Sequence, residues 1–157
     1  MNKVVFPGSF DPFTRGHESI VSRALKVFDH VVIAVGVNEN KKEWIPAQER
    51  VRALRELYWT NNRVSVECYS GLTTDFACQQ HASAILRGIR SIKDMEYEKE
   101  MADVNARLTG METVFLLAEP AQEFLSSSMV RELVHFGKDI RKFLPDGLFY
   151  NEFSTQY

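Results

Sequence analysis

Two cysteines, five prolines and eight glycines in 157 residues leave the chain short of several devices that small proteins rely on. Cys68 and Cys78 make no metal-binding spacing and no disulfide framework, so free thiols in a reducing compartment are expected. No apolar run approaches the roughly 18 residues of a membrane span. Met1-Asn2-Lys3 passes directly into an apolar strand pattern with no signal-like segment, and the expected location is cytoplasmic. An excess of positive charge is missing too. Lys and Arg number 19 against 21 Asp and Glu, a formal net charge of −2 that excludes the basic field demanded by long nucleic acid or an anionic membrane. Aromatic-basic interleaving is likewise absent, which argues against an RNA-binding module. Neither G-x-G-x-x-G nor G-x-x-x-x-G-K-[ST] occurs, so the two commonest glycine-rich phosphate loops do not apply.

What is present is an ordinary globular composition, 45% hydrophobic and 25% charged, over a length that suits one domain, 1–157, with no linker or repeat. Val4, Val5 and Phe6 predict a buried strand, and Ile20, Val21, Ala24, Leu25 and Phe28 recur at helical spacing. His30 to Val37 is a continuous apolar run of the kind found in a parallel sheet covered on both faces. Pro46 opens a helix with Val51, Leu54, Leu57 and Tyr58 on one face. Val64, Val66 and Cys68 alternate as a third strand, and Gly71 to Thr74 lead into a helix through Phe76, Ala77 and Gln80. Ala84-Ile85-Leu86 predict a short fourth strand ending in the turn Arg87-Gly88-Ile89-Arg90-Ser91. A helix from about Ile92 to Leu108 follows, with Met95, Met101, Val104 and Leu108 inward and Gly110 closing it. Thr113 to Leu117 form the fifth strand, Ala118 to Leu125 a loop, and Ser126-Ser127-Ser128 cap a helix from Met129 to Phe136, with Gly137 at its C′ position. Phe143, Leu144, Phe149, Tyr150 and Phe153 predict one or two short C-terminal helices. The alternation implies an α/β fold, a Rossmann-like, five-stranded parallel sheet with helices on both faces.

In such folds ligands bind beyond the carboxyl ends of the strands. Ser9 and His17 follow strand one, Lys41 strand two, Thr73 strand three, Arg87 and Arg90 strand four, and the serine cluster strand five. Cations and hydroxyls gathered on one rim of a net-negative protein suit a ligand with several phosphates. Phe6-Pro7-Gly8-Ser9-Phe10-Asp11-Pro12-Phe13-Thr14-Arg15-Gly16-His17 is the focus: strand, broken turn and helix start leave backbone N–H groups aimed at one spot. His17 stands at the mouth of that helix, whereas His30, His81 and His135 read as structural or surface residues. The rim offers no obvious general base, and none is needed if the acceptor is itself a phosphate, ionised at pH 7. Lys41 and Arg87 would then hold a second anion opposite a nucleoside triphosphate, and Ser127 and Ser128 its outer phosphates. Glu96 and Glu98 around Tyr97 read either as dipole complementation or as contacts to a nucleotide.

Thr14-Arg15-Gly16-His17 resembles the T/H-x-G-H signature of the nucleotidylyltransferase superfamily. The N-terminal Pro-Gly-Ser-Phe-Asp-Pro, Lys41-Lys42, Gln48-Glu49-Arg50, Arg87-Gly88-Ile89-Arg90, Asp94 with Glu96-Tyr97-Glu98, and the triple serine occur in the order seen in bacterial phosphopantetheine adenylyltransferases. The resemblance covers essentially the whole chain. It implies transfer of an adenylyl group from ATP to 4′-phosphopantetheine, giving dephospho-coenzyme A and diphosphate, with Mg²⁺ assisting. It further implies that His17 stabilises the transition state and that Ser9 contacts both substrates. Phe10, His17, Gly88, Ile89, Arg90, Glu98, Gln122, Glu123, Phe124, Leu125, Ser126, Ser127 and Ser128 would belong to the ATP site, and Lys41, Thr73 and Arg87 to the phosphopantetheine site. The family's usual assembly is a homohexamer, and coenzyme A is a further candidate ligand, as an inhibitor. Ser9 stands where threonine is more common, Glu39 replaces a common proline, and Gln122 occupies a position that often carries an aromatic. The Mg²⁺ is expected on phosphate oxygens and water, with no protein metal site. The alternatives are an adenylyl or cytidylyl transferase with another phosphorylated acceptor, and a non-catalytic nucleotide or coenzyme A sensor on the same fold.

Overall fold

The computed structural model describes residues 1–151, so the expectation for Phe153 lies outside the described residues. Five strands run parallel in the order β3-β2-β1-β4-β5: β1 (Lys3–Gly8), β2 (His30–Gly36), β3 (Val64–Tyr69), β4 (Ala84–Ile89) and β5 (Thr113–Leu117). The intervening helices are α1 (Arg15–Ala24), α2 (Ala47–Leu57), α3 (Thr73–Gln79) and α4 (Ile92–Thr109), and α5 (Ser127–His135) follows β5.

The unbroken apolar runs of β1 and β2 follow from burial on both faces. Val4, Phe6, Val31, Ile33 and Val35 pack on one side, against Ile20 and Val21 of α1 and Val51 and Leu54 of α2. Val5, Val32, Ala34 and Ile85 point the other way, against Phe76 and Ala77 of α3 and Met111. Each large apolar side chain among them contributes about 1.5–3 kcal/mol relative to exposure, and the polar residues of these strands, Lys3 and His30, stand at their ends. The sheet reverses its winding at β1, where α1 and α2 leave on one side and α3 and α4 on the other. The loops after β1 and β4 therefore open a crevice at the carboxyl end of the sheet.

Several local expectations change. Arg87, Gly88 and Ile89 belong to β4 itself, paired with Phe115, Leu116 and Leu117 of β5, and are not a turn. Pairing with the neighbouring strand overrides the weak strand preference of Arg-Gly. Met95, Met101, Val104 and Leu108 are not inward: they are 38%, 40%, 47% and 59% exposed, and Glu98 is the buried residue of α4. α4 packs beside α3 near the sheet's β5 edge, and nothing among the described residues covers its outer face. Cys68, near the end of the edge strand β3, is exposed. Gly110 does close α4, in the left-handed conformation (φ 77°) that a residue with a side chain adopts only under strain.

After α5, the described part of the C-terminal region holds one short 3₁₀ turn, Arg141–Phe143. Leu125, Val130, Ile140 and Leu144 form a small separate core beneath α5. Tyr150 is buried, and its hydroxyl accepts a hydrogen bond from the Phe13 backbone N–H at 3.2 Å, tying this region to the loop after β1.

Candidate active site

The loop from Ser9 to Thr14 is fixed before any ligand arrives. Phe10 has a positive φ of 49°, and its ring lies over Gly8, where an added Cβ would meet ring atoms at 2.9 Å. Thr14 caps α1. Its hydroxyl accepts from the His17 backbone N–H, and its own N–H donates to His17 Nδ1 at 3.0 Å. This is a capping box in which histidine takes the place usually held by Glu or Gln. A backbone N–H can only donate, so Nδ1 is the accepting nitrogen and the ring proton sits on Nε2.

The rest of the ring is held by aromatic neighbours, with centroids at 5.0 Å (Phe10), 5.3 Å (Phe13) and 6.2 Å (Phe6). Desolvation among these rings, reinforced by the positive charges of Arg87 and Arg90, pushes the His17 pKa down to about 3. At neutral pH the site presents an uncharged imidazole with one N–H donor. It cannot serve as a general acid of ordinary strength; it can donate a hydrogen bond to a developing negative charge.

His17 lines a cavity of about 630 Å³ at the carboxyl end of the sheet. Gly8, Ser9 and Phe10 form one wall, and Lys41, Arg87, Gly88 and Arg90 bring backbone and positive charge from the neighbouring strand ends. Gln122 and Leu125 contribute from the loop after β5, and Ser126, Ser127 and Ser128 from the start of α5. Ser126 is the N-cap, accepting from the Met129 N–H, and Ser127 donates its hydroxyl to the Pro12 carbonyl at 2.7 Å. The unpaired N–H groups of the α5 N-terminus thereby face the same space as His17, an arrangement suited to phosphate oxygens.

Arg87 is braced on three bonds. Its guanidinium meets Glu98 in a bidentate pair at 2.7 and 2.8 Å and donates to the Pro7 carbonyl at 2.7 Å. Both carboxylate oxygens of the buried Glu98 bond to Arg87, and Glu98 also lines the main cavity. Arg90 and Asp94 meet more loosely, Nε lying 3.4 Å from Oδ2, and the same oxygen accepts from the Arg90 backbone N–H at 3.1 Å.

Not every expected residue lies on the main cavity. Thr73 lines an adjoining cavity of about 170 Å³, shared with Arg87 and Glu98, and its hydroxyl bonds to Tyr69 Oη at 2.8 Å. Ile89 is buried and does not line the main cavity. Glu123 and Phe124 are exposed and turned away from it, with Phe124 edge-on to Phe143 at 6.0 Å.

Residues 5–133 match the family described as cytidylyltransferase-like. A phosphopantetheine adenylyltransferase of Phocaeicola vulgatus is 50% identical over 148 residues, covering 94% of this chain and 98% of its own. The enzyme of that name from Bacteroides thetaiotaomicron is 48% identical over 151 residues, 96% of this chain and 100% of its own. The chain belongs to the phosphopantetheine adenylyltransferase family. Its fold is similar to part of a bifunctional NMN adenylyltransferase/ADP ribose pyrophosphatase from Francisella tularensis, with a TM-score of 0.67 at 15% identity over 91% of this chain and 44% of that one.

The cavity also contains residues to which sequence reasoning gives no role. Thr14 is the capping partner of His17, and its signal was the three-residue spacing of a capping box with an unusual last member. Arg131 lines the cavity and donates to the Asp11 carbonyl at 2.6 Å and to Ser128 Oγ at 3.1 Å. It lies one helical turn after Ser128, a spacing that places it on the same face.

Proposed function

We propose that this enzyme transfers the adenylyl group of ATP to 4′-phosphopantetheine by direct in-line attack, without a covalent enzyme intermediate. An acceptor phosphate oxygen bonds to the α-phosphorus, the α–β P–O bond breaks, and diphosphate leaves with dephospho-coenzyme A as the other product. The observation that carries this reading is the state of the cavity's carboxylates. Asp94 and Glu98 are each held by an arginine, and His17 offers a donor rather than a base. A site so equipped suits a nucleophile that is already ionised, as a phosphate monoester is at pH 7, and suits a hydroxyl acceptor poorly.

Roles follow from position. His17 Nε2–H would donate to the α-phosphate oxygen that gains charge, with Arg90 and the α5 N-terminus holding the outer phosphates. Ser9, Lys41, Thr73 and Arg87 would hold the acceptor. The donor set also bears on Mg²⁺. Among the described residues no three of His, Cys, Asp and Glu converge on a metal position, and both cavity carboxylates are engaged. The ion fits here as the companion of the triphosphate, on phosphate oxygens and water, where it would offset their charge. Soluble substrates of this kind fit a cytoplasmic enzyme, and a homohexamer is the assembly proposed. Coenzyme A, which contains the acceptor moiety, would compete at the same site.

The test is diphosphate release from ATP and Mg²⁺ with 4′-phosphopantetheine, beside nicotinamide mononucleotide, glycerol phosphate and unphosphorylated pantetheine. Turnover with 4′-phosphopantetheine alone is expected. Turnover with another acceptor would keep the chemistry and change the substrate, and ligand binding without turnover would favour the sensor.

A further inference from the structure

We infer that Arg50 is a positioning residue of the transfer site, setting the spacing between the loop that carries Ser9 and the loop that carries Lys41. The inference rests on the function proposed above and names a residue outside the cavity on which that function depends.

Arg50 sits on α2 and is 1% exposed, making it the largest fully buried side chain among the described residues. It does not line the cavity. Its guanidinium divides its donors between two loops. Nη1 donates to the Ser9 carbonyl, Nε to the Ile45 carbonyl at 2.8 Å, and Nη2 to Glu43 Oε1 at 2.6 Å. Ser9 lies on the loop after β1. Ile45 and Glu43 lie on the loop after β2, two residues beyond Lys41 in the case of Glu43. A second tie runs beside the first: the Asp11 carboxylate accepts from the Trp44 and Ile45 backbone N–H groups, each at 2.8 Å.

The two loops flank one cavity and carry, on the proposed function, groups that hold the acceptor phosphate. Burying a guanidinium requires it to lose its hydration, and an apolar side chain of similar volume would fill the same space without that loss. A planar fork with donors at fixed angles is what distinguishes Arg from both apolar residues and Lys at such a place. Here the fork fixes three acceptors on two segments that share no backbone hydrogen bonds of a sheet. Displacement of a substrate-holding group by about 1 Å is enough to cost orders of magnitude in rate.

Two variants separate positioning from plain structural support. Glu43→Gln removes charge at the partly exposed end of the strut and leaves Arg50 on Ser9 and Ile45. Arg50→Lys keeps the charge but cannot span all three acceptors. Both are compared with wild type, Lys41→Ala and the Lys41→Ala/Glu43→Gln double variant. KM and kcat are measured with each substrate varied separately, alongside calorimetric binding of 4′-phosphopantetheine and thermal unfolding. Glu43→Gln is expected to weaken 4′-phosphopantetheine binding and raise its KM by roughly threefold to tenfold, with the ATP KM unchanged. In the Lys41→Ala background it should add nothing, because its effect passes through that loop. Arg50→Lys should weaken acceptor binding at least as much and lower kcat by about tenfold or more, since Ser9 is released as well.

The inference is overturned if the folded variants bind and turn over 4′-phosphopantetheine as wild type does. It is equally overturned if only the unfolding temperature moves, or if Glu43→Gln keeps its full effect in the Lys41→Ala background. A wild type that neither binds nor turns over 4′-phosphopantetheine overturns this inference and the proposed function together. A wild type that turns it over, with unaffected variants, overturns this one alone.

Discussion

At His17, tautomer, charge and direction are each set by a different neighbour. The Thr14 N–H fixes the tautomer, burial among Phe6, Phe10 and Phe13 with the two arginines fixes the charge, and the first turn of α1 fixes the direction. The folded-state pKa is about 3, below the ordinary 6.5, so between those values the unfolded chain binds a proton that the folded chain refuses. The contribution to stability is therefore complete above about pH 6.5 and is lost as the pH falls toward 3. The imidazole Cε1–H resonance of His17 in the free enzyme should stay flat from pH 8 to pH 5. A midpoint between 6 and 7 would mean that neither burial nor the two arginines depress this imidazole, and that a mixture of charged and neutral rings faces the substrate near neutrality. Replacing the ring, in His17→Ala, should lower kcat by about 10²–10³ with ATP binding retained, read by turnover beside equilibrium binding. Loss of binding in step with turnover would make His17 a ground-state ligand. Glu98 belongs to the same scale. Glu98→Gln leaves Arg87 without its charged partner, and a cost of about 1–3 kcal/mol in stability is expected, together with a raised KM for the acceptor. An unchanged melting temperature and KM would show that Pro7 alone suffices to hold Arg87.

At the scale of elements, the loop after β1 depends on Gly8 for room and on Phe10 for shape. Gly8→Ala would press a methyl group into the Phe10 ring at 2.9 Å, and that ring is one of the walls holding His17. The expected result is a loss of at least about tenfold in kcat/KM together with a loss of stability of about 1–3 kcal/mol, because the Phe10 ring is itself part of the buried core and has little room to shift. A Gly8→Ala enzyme of wild-type activity would show that His17 does not depend on that wall. This loop, and the strands on either side of it, were legible in the sequence because their signals are local. Apolar runs mark β1 and β2, prolines and glycines mark the break, and a helical period marks α1. Arg87 was legible as a rim cation but was placed in a turn, since its inclusion in β4 depends on β5, a partner that lies beyond any local window. For Glu98 the sequence offers helix-dipole complementation or a nucleotide contact, and the fold adds what a local window cannot show, the Arg87 guanidinium that both its oxygens meet. The direction of the Phe124 ring is not legible from sequence either: it lies edge-on to Phe143 and outside the main cavity.

At the scale of the whole molecule, the outer face of α4 is the feature that one chain leaves unfinished. Tyr97, Met101, Val104 and Leu108 follow one another at spacings of four, three and four, a single apolar stripe, and each is at least 40% exposed. The sequence reading turns Met95, Met101, Val104 and Leu108 inward, and the structure exposes all four; helical period reveals an apolar stripe but not whether the chain itself buries it. On the homohexamer proposed above, the occupant is a second copy of this chain, and a contact through α4 would also fix the helix that supplies Glu98 to Arg87. Val104→Glu should then place an unpaired carboxylate in that contact, at a cost of about 3–5 kcal/mol per copy. Sedimentation at micromolar concentration should show smaller species than wild type, with the circular dichroism of the folded chain intact. Should Val104→Glu sediment as the wild type does, α4 is not the contact. The stripe would then have to be explained within one chain, by what crosses it when substrate is bound.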